Sequence, residues 1–124
     1  MKYRVLIVDD EALLSRMLSQ AFKEQGFVTV TASSAEEAAE KINDQDPFDL
    51  ILLDIRLPGK SGLQLLEDLG EMSTTRIVLM TAYDTDETYK RSLVLGADLY
   101  LKKPFDLKVV LNKASELVKK GARA

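Results

Sequence analysis

Apolar and polar positions alternate along this chain in a way that predicts strands and helices in regular succession. Short apolar or alternating runs predict strands at 3–8, 27–31, 50–53, 77–80 and 99–101. After each of them, apolar residues recur at helical spacing, and Gly26, Gly70 and Gly96 end three of these helical segments. Five strand–helix units of roughly 25 residues have the length of repeated βαβ construction.

Polar residues ahead of the helical segments indicate where four of the helices begin. The predicted caps are Ser33 or Ser34 with Glu36 or Glu37, Ser61 with Gln64, Asp84 with Glu87, and Asp106. We therefore expect an α/β fold of five strand–helix units, a (βα)5 arrangement. Right-handed crossovers give a doubly wound, flavodoxin-like parallel sheet of order 2-1-3-4-5 with helices on both faces.

Composition is typical of one globular domain. The chain has 124 residues, of which 46% are hydrophobic and 30% charged. We expect residues 1–120 to form the domain and residues 121–124 to be a tail or the start of a linker. With 17 basic and 20 acidic side chains, the net charge of −3 gives no footprint for direct nucleic-acid binding. The apolar runs are too short to span a membrane, so a cytoplasmic protein is expected.

The absence of two residue types limits the reactions and metal sites that the chain can support. The chain has no Cys and no His, which excludes thiolate nucleophiles, imidazole bases and Cys or His metal ligands. Reactions must then use carboxylates, hydroxyls, Lys, Arg or the backbone. Any bound metal should be a hard ion that prefers oxygen ligands.

Polar residues gather at the carboxyl ends of the predicted strands, where open α/β sheets carry their sites. Strand one ends in Asp9 and Asp10, strand three in Asp54, strand four in Thr81 and strand five in Lys102 and Lys103. Strands one and three are neighbours where the strand order reverses, so three carboxylates should converge there. Of the two lysines we assign Lys103 to the site, because it precedes Pro104.

Three carboxylates at close range repel one another unless a cation or a proton intervenes. Mg²⁺ fits best, since it prefers oxygen ligands and also accepts phosphate oxygens. A carboxylate can act as a nucleophile and form an aspartyl phosphate, and Asp54 is the candidate because it is central in the sheet. Lys103 and Mg²⁺ would neutralise charge on the phosphoryl group, to which Thr81 would donate a hydrogen bond.

Six motifs make the chain similar to the receiver domain of bacterial two-component response regulators. They are V-D-D at 8–10, L-L-D at 52–54, L-P-G at 57–59, M-T-A at 80–82, L-G-A-D at 95–98 and K-P-F at 103–105. They span nearly the whole chain in the family's order, and together they are highly specific. Stand-alone phosphorelay and chemotaxis-type regulators share this pattern, as do receivers fused to ATPase-type transcription activators.

The resemblance implies a role for each site residue. Asp54 would take a phosphoryl group from a phosphohistidine on a sensor histidine kinase or a histidine phosphotransfer protein. Mg²⁺ would be held by Asp9, Asp10 and Asp54 together with the backbone carbonyl of Arg56. The Lys103–Pro104 peptide bond would be cis.

The resemblance also implies a switch. Thr81 would move toward the phosphoryl group and Tyr100 would rotate inward behind it. The surface of helix four, strand five and helix five would then change its affinity for a downstream effector or for the protein's own output domain, and a phosphorylation-dependent dimer is one expected assembly. Such a domain is not an enzyme but assists its own phosphorylation and dephosphorylation. Arg56 and Tyr83 would border the pocket and slow the approach of water.

Several alternatives stay open at this point. A small haloacid-dehalogenase-like phosphatase or phosphotransferase also uses a nucleophilic Asp, but it needs a second Asp where this chain has Arg56. A docking module that is never phosphorylated is another. On helix one, Leu14 and Met17 either complete the core or dock the domain that carries the phosphohistidine. The chain is either a single-domain regulator or the front part of a longer one.

Overall fold

The structure, a computed structural model, describes residues 2–44, 47–70 and 74–119. Its strands are β1 (Arg4–Val8), β2 (Val28–Ala32), β3 (Leu50–Asp54), β4 (Arg76–Thr81) and β5 (Leu99–Lys102). Its helices are α1 (Ala12–Glu24), α2 (Ala35–Asp44), α3 (Gly62–Leu69), α4 (Asp86–Val94) and α5 (Leu107–Lys119). The strands differ from the predicted ones by at most one residue at each end. The predicted tail at 121–124 lies outside the described residues.

The five strands form one parallel sheet of order β2-β1-β3-β4-β5, which confirms the predicted fold. The register aligns the strand ends: Val8 of β1 pairs with Leu53 of β3, and Thr81 of β4 pairs with Lys102 of β5. Because all strands run the same way, the residues that follow them emerge at one edge of the sheet.

Both faces of the sheet are covered by helices, so the central strands are buried throughout. One core cluster packs under α2 and α3 and includes Leu6, Val8, Ile51, Leu53, Ile77 and Leu79. The other packs under α1 and α5 and includes Val5, Ile7, Leu50, Leu52, Val78 and Met80. Alternate residues of each strand thus enter opposite clusters, which explains the unbroken apolar runs in the sequence. In β1, β3 and β4, polar side chains are confined to the strand ends.

Helix starts follow the predicted caps with one exception. The Ser61 hydroxyl accepts from the Gln64 amide at 3.1 Å, and the Asp106 carboxylate accepts from the Lys108 amide at 2.8 Å. The helix α2 likewise begins after a serine whose hydroxyl accepts a backbone amide three residues later. Within the described residues, no helix has the length and hydropathy needed to cross a membrane.

The cap of α4 was predicted wrongly. Thr85 rather than Asp84 is the N-cap, and its hydroxyl accepts from the Thr88 amide at 3.1 Å. The Thr88 hydroxyl in turn accepts from the Thr85 amide, which completes a reciprocal capping box. Asp84 is instead engaged by Tyr100 and Lys102 of β5.

Candidate functional site

Two buried carboxylates stand at adjacent strand ends. Asp54 is the last residue of β3, and Asp9 directly follows β1, where its amide donates to the Ala32 carbonyl at 3.1 Å. Both side chains are almost fully buried. The strand pairing therefore fixes their backbones side by side, at the point where the strand order reverses.

Lys103 reaches into this acidic cleft from the end of β5. Its Nζ lies 2.8 Å from Asp9 Oδ2, 2.7 Å from Glu11 Oε1 and 3.1 Å from Asp54 Oδ2. Its amide donates to the Thr81 carbonyl at 2.7 Å, which ties this segment to the end of β4. The Lys103–Pro104 peptide bond is cis, as the resemblance implies.

The electrostatics of the cleft pull Asp54 in two directions. Burial and the neighbouring Asp9 charge raise the pKa of Asp54 to about 6, although the hydrogen bond and charge of Lys103 and the Arg56 amide act to lower it. Burial alone would lower the pKa of Lys103, but its hydrogen bonds to Asp9, Glu11 and Asp54 outweigh that effect and raise the pKa above its ordinary range. The lysine therefore stays charged, and negative charge remains in excess around it.

The third carboxylate in the cleft is Glu11 rather than the expected Asp10. Within the described part of the chain, oxygens of Asp9, Glu11 and Asp54 lie within 4.8 Å of one another, a group that does not include Asp10. The Asp10 side chain is exposed and borders the same cleft as Asp54 and Arg56. The fold thus brings Asp9, Asp54 and Lys103 together, with Asp10 at the rim.

Residues that follow β3 and β4 form another part of the rim of this cleft. Thr81 is fully buried, and its hydroxyl accepts from the Tyr83 amide at 2.9 Å. The Arg56 guanidinium carbon lies 4.0 Å from the centre of the Tyr83 ring, a cation–π contact. Arg56, Tyr83 and Ala82 line the cleft that contains Asp54.

Gly62 lets α3 approach the backbone of Asp54. A Cβ at this position would lie 2.1 Å from the Asp54 carbonyl oxygen, far inside van der Waals contact. The Gly62 amide also donates to the Ile55 carbonyl at 2.8 Å. The glycine therefore helps to fix the strand end that carries the central carboxylate.

Tyr100 lies on the side of β5 that faces α4. Its hydroxyl donates to Asp84 Oδ1 at 2.7 Å and lies 3.2 Å from the Thr88 hydroxyl. Its ring packs edge-on against Tyr89, with centroids 5.3 Å apart. Tyr100 is thus held by groups of the β4–α4 loop and of α4 itself.

Sequence reasoning missed three residues that shape these regions: Glu11, Gly62 and Asp84. Glu11 directly follows the Asp pair, so its carboxylate was a visible signal for a larger acidic cluster. The role of Gly62 depends on the close approach of α3, which no local pattern indicates. The local pattern suggested that Asp84 caps α4. Its actual contacts are with Tyr100 and Lys102 of β5, which no local pattern indicates.

Comparison with known proteins yields one family. The model of the response regulator receiver domain matches residues 5–115. The regulatory protein AtoC of Escherichia coli is 45% identical over 105 residues, which are 84% of this chain and 23% of AtoC. The chain therefore spans about a quarter of that relative and about half of several others.

Solved structures agree with this assignment. A CheY-like receiver domain protein of Methanospirillum hungatei superposes with a TM-score of 0.91 at 31% identity, covering 97% of this chain and 96% of that one. The response regulator TrrA of Thermotoga maritima, solved in complex with Mg²⁺-BeF, gives a TM-score of 0.80 at 34% identity. That superposition covers 94% of this chain and 99% of TrrA.

Proposed function

This chain belongs to the response regulator receiver domain family of two-component systems, and we propose that Asp54 is its phosphoacceptor. The donor is a phosphohistidine on a sensor histidine kinase or a histidine phosphotransfer protein. In the transfer, the phosphorus–nitrogen bond of the phosphohistidine breaks and a bond forms between phosphorus and a carboxylate oxygen of Asp54. The observation that carries the proposal is the convergence of buried Asp9 and Asp54 on Lys103.

Three side chains of this site serve the transfer. Lys103, already 3.1 Å from Asp54, offsets the charge of the incoming phosphoryl oxygens. The buried Thr81 hydroxyl has a proton to donate to one of them. The small Ala82 side chain beside them leaves room for the group in the cleft. Most of the catalysis is positioning and charge stabilisation, as is usual for phosphoryl transfer.

The donor set of the cleft fits Mg²⁺. It consists of carboxylates with an excess of negative charge, and burial together with the neighbouring Asp9 charge raises the pKa of Asp54. Asp9, Asp10, Asp54 and the carbonyl of Arg56 would hold the ion. When bound, the ion supplies charge neutralisation for the phosphoryl oxygens and for the carboxylates.

The stacked side chains of Arg56 and Tyr83 restrict the access of water to the cleft. Both side chains border the cavity that holds Asp54, and their 4.0 Å contact gives the rim a bulky wall. We expect this wall to slow hydrolysis of the aspartyl phosphate without blocking its formation.

Phosphorylation would be transmitted to the surface formed by α4, β5 and α5. Engagement of the Thr81 hydroxyl by the phosphoryl group draws the β4–α4 loop inward and loosens the contacts that Asp84 and Thr88 make with Tyr100. Tyr100 then rotates inward, and the surface changes its affinity for an effector, an output domain or a second copy of the chain. The receiver itself is a signalling domain within residues 1–120.

The exposed apolar residues of α1 favour docking of the phosphohistidine domain beside the cleft. Leu13 is 68% exposed and Met17 is 44% exposed, whereas Leu14 packs against the core. We expect Leu13→Ala and Met17→Ala to slow transfer from a sensor kinase chosen by profiling a panel of kinases. Their phosphorylation by acetyl phosphate and their melting temperatures should stay unchanged, since neither residue is buried; a matching loss with acetyl phosphate would contradict docking.

The central experiment measures phosphate incorporation. The wild-type chain is incubated with Mg²⁺ and acetyl phosphate beside Asp54→Asn, and a matched control, Asp86→Asn, removes an exposed acid from the first turn of α4. We expect at most one phosphoryl group per chain in wild type and Asp86→Asn, sensitive to hydroxylamine as an acyl phosphate is. Asp54→Asn should incorporate none.

Two outcomes would overturn the proposal. Equal incorporation in Asp54→Asn would place the acceptor elsewhere. Continued release of inorganic phosphate over many turnovers would indicate a phosphatase instead of a phosphoacceptor. Circular dichroism of each variant verifies that a lost signal is not a lost fold.

A further inference from the structure

Glu11 contacts the same ammonium as the two buried carboxylates, although it is outside the proposed metal set. Its Oε1 lies 2.7 Å from Lys103 Nζ, the shortest of the three distances to that atom. Its side chain is 59% exposed, whereas those of Asp9 and Asp54 are buried. Glu11 therefore holds Lys103 from the solvent side of the cleft.

The backbone fixes Glu11 beside the cleft. Its amide donates to Asp9 Oδ1 at 2.9 Å, and its carbonyl accepts from the Ser15 amide at 3.0 Å in the first turn of α1. The main chain at Glu11 is thus tied both to the acidic cleft and to a helix. Its carboxylate reaches Lys103 from an anchored position.

A lysine ammonium has three N–H donors, and here three carboxylates accept them. In the proposed function, Asp9 and Asp54 would serve as ligands of a divalent cation. Lys103 would then lose two acceptors and face a second positive charge at close range. Of its three present partners, Glu11 alone would remain free to balance it.

We propose that Glu11 is a positioning residue that holds the Lys103 ammonium at the cleft when a divalent cation occupies Asp9 and Asp54. This inference rests on the proposed function, because it takes those two carboxylates as metal ligands. It assigns Glu11 a contribution that depends on the metal. Without the ion, Asp9 and Asp54 suffice to hold the lysine, and with the ion, Glu11 is required.

Chemical protection of Lys103 tests this dependence directly. The full chain is treated briefly with an amine-acylating reagent at one fixed pH, with and without Mg²⁺, and labelling at each lysine is read by peptide mass spectrometry. In wild type, Lys103 should stay protected in both conditions. In Glu11→Gln, Lys103 should stay protected without Mg²⁺ and become several-fold more reactive when Mg²⁺ is added.

The chain supplies two controls. Lys102, which is 70% exposed, reports reagent strength within the same peptide and should label equally in every sample. Glu40→Gln makes the same change of charge on the exposed side of α2 and should behave as wild type.

The proposal is overturned if Mg²⁺ leaves Lys103 equally protected in wild type and in Glu11→Gln. It is also overturned if Glu11→Gln exposes Lys103 equally with and without Mg²⁺, because Glu11 would then hold the lysine unconditionally. Incorporation of phosphate at Asp54 is measured separately. A chain with the expected labelling pattern but no incorporation would contradict the phosphoacceptor role and leave the positioning role standing.

Discussion

Two consecutive lysines at the end of β5 meet aspartates in opposite environments. Lys103 is 9% exposed and contacts the carboxylates of Asp9, Glu11 and Asp54. Lys102 is 70% exposed and contacts Asp84 alone among the ion pairs of the described residues, at 3.0 Å. Successive side chains of a strand point to opposite sides, so one residue step separates the acidic cleft from the outer network around Tyr100.

The difference shows why a similar ion pair has different consequences in the two places. In the cleft, Asp9, Asp54 and Lys103 have little access to water, so their charges depend on protein partners. On the outer side, solvent and salt screen the pair, and the contact constrains side-chain position more than it stabilises the fold. The cleft is therefore suited to chemistry and the outer network to a change of conformation.

The largest expected effect comes from removing each lysine charge in turn. Lys103→Met keeps an aliphatic side chain but leaves Asp9 and Asp54 without a counter-charge. We expect a loss of about 2–4 kcal/mol in the free energy of unfolding, near the range for breaking a buried pair, with some relief because Asp54 is able to take a proton. Urea unfolding at pH 7 without divalent cations measures it.

The matched variant Lys102→Met should change the stability by less than the error of the extrapolation, because that pair is exposed. Addition of Mg²⁺ should restore part of the stability of Lys103→Met, since an ion that binds the folded state alone stabilises it. Equal losses in the two variants would remove the distinction between the two environments.

A smaller effect of opposite sign is expected from Asp54→Asn. Because the pKa of Asp54 is raised to about 6 in the folded protein, the folded state binds a proton more tightly than the unfolded chain does. Wild-type stability should therefore fall as the pH rises from about 4 to about 6 and lose no more from this group above that range. At pH 7 the variant should be more stable by on the order of 2 kcal/mol.

Urea unfolding of both proteins from pH 4 to pH 7.5, without metal, gives the comparison. The advantage of Asp54→Asn should be small at the acidic end and should grow with pH. A variant that is less stable than wild type at pH 7 would show that the Lys103 contact outweighs burial and the repulsion by Asp9.

The sheet and the core of the site could be predicted because the central strands carry almost no polar residues. Runs such as 50–53 and 77–80 are clearly strands, so only the position at which each strand ends has to be predicted. That position determines which polar side chain lies at the carboxyl edge of the sheet. Asp9, Asp54 and Lys103 were brought into contact range by this rule and by the parallel order.

The remaining details depend on choices that the pattern leaves open. Asp10 and Glu11 are consecutive acidic residues beyond the end of β1. The sequence does not tell which of the two side chains turns toward Lys103, and in the structure it is Glu11. Asp84 and Thr85 both had the side chain of an N-cap for α4. The structure places Asp84 against Tyr100 and Lys102, which lie 16 and 18 residues further along the chain, and leaves the cap to Thr85. Such outcomes require tertiary contacts, which local sequence does not carry.

The smallest expected effect concerns the outer network. Hydrogen bonds from Tyr100 and then from Lys102 lower the pKa of Asp84, the reverse of the direction at Asp54. Its contribution to stability is therefore present above the ordinary carboxyl pKa and is lost as the pH falls through the lowered value.

Asp84→Asn should change unfolding very little, but it should weaken the hold on Tyr100. Nuclear Overhauser effects between the Tyr100 ring and the Thr88 methyl group should decrease. Asp86→Asn, which makes the same charge change two residues later, should leave them intact, and an equal decrease there would mean that net charge, rather than the Asp84 contact, holds the tyrosine in place.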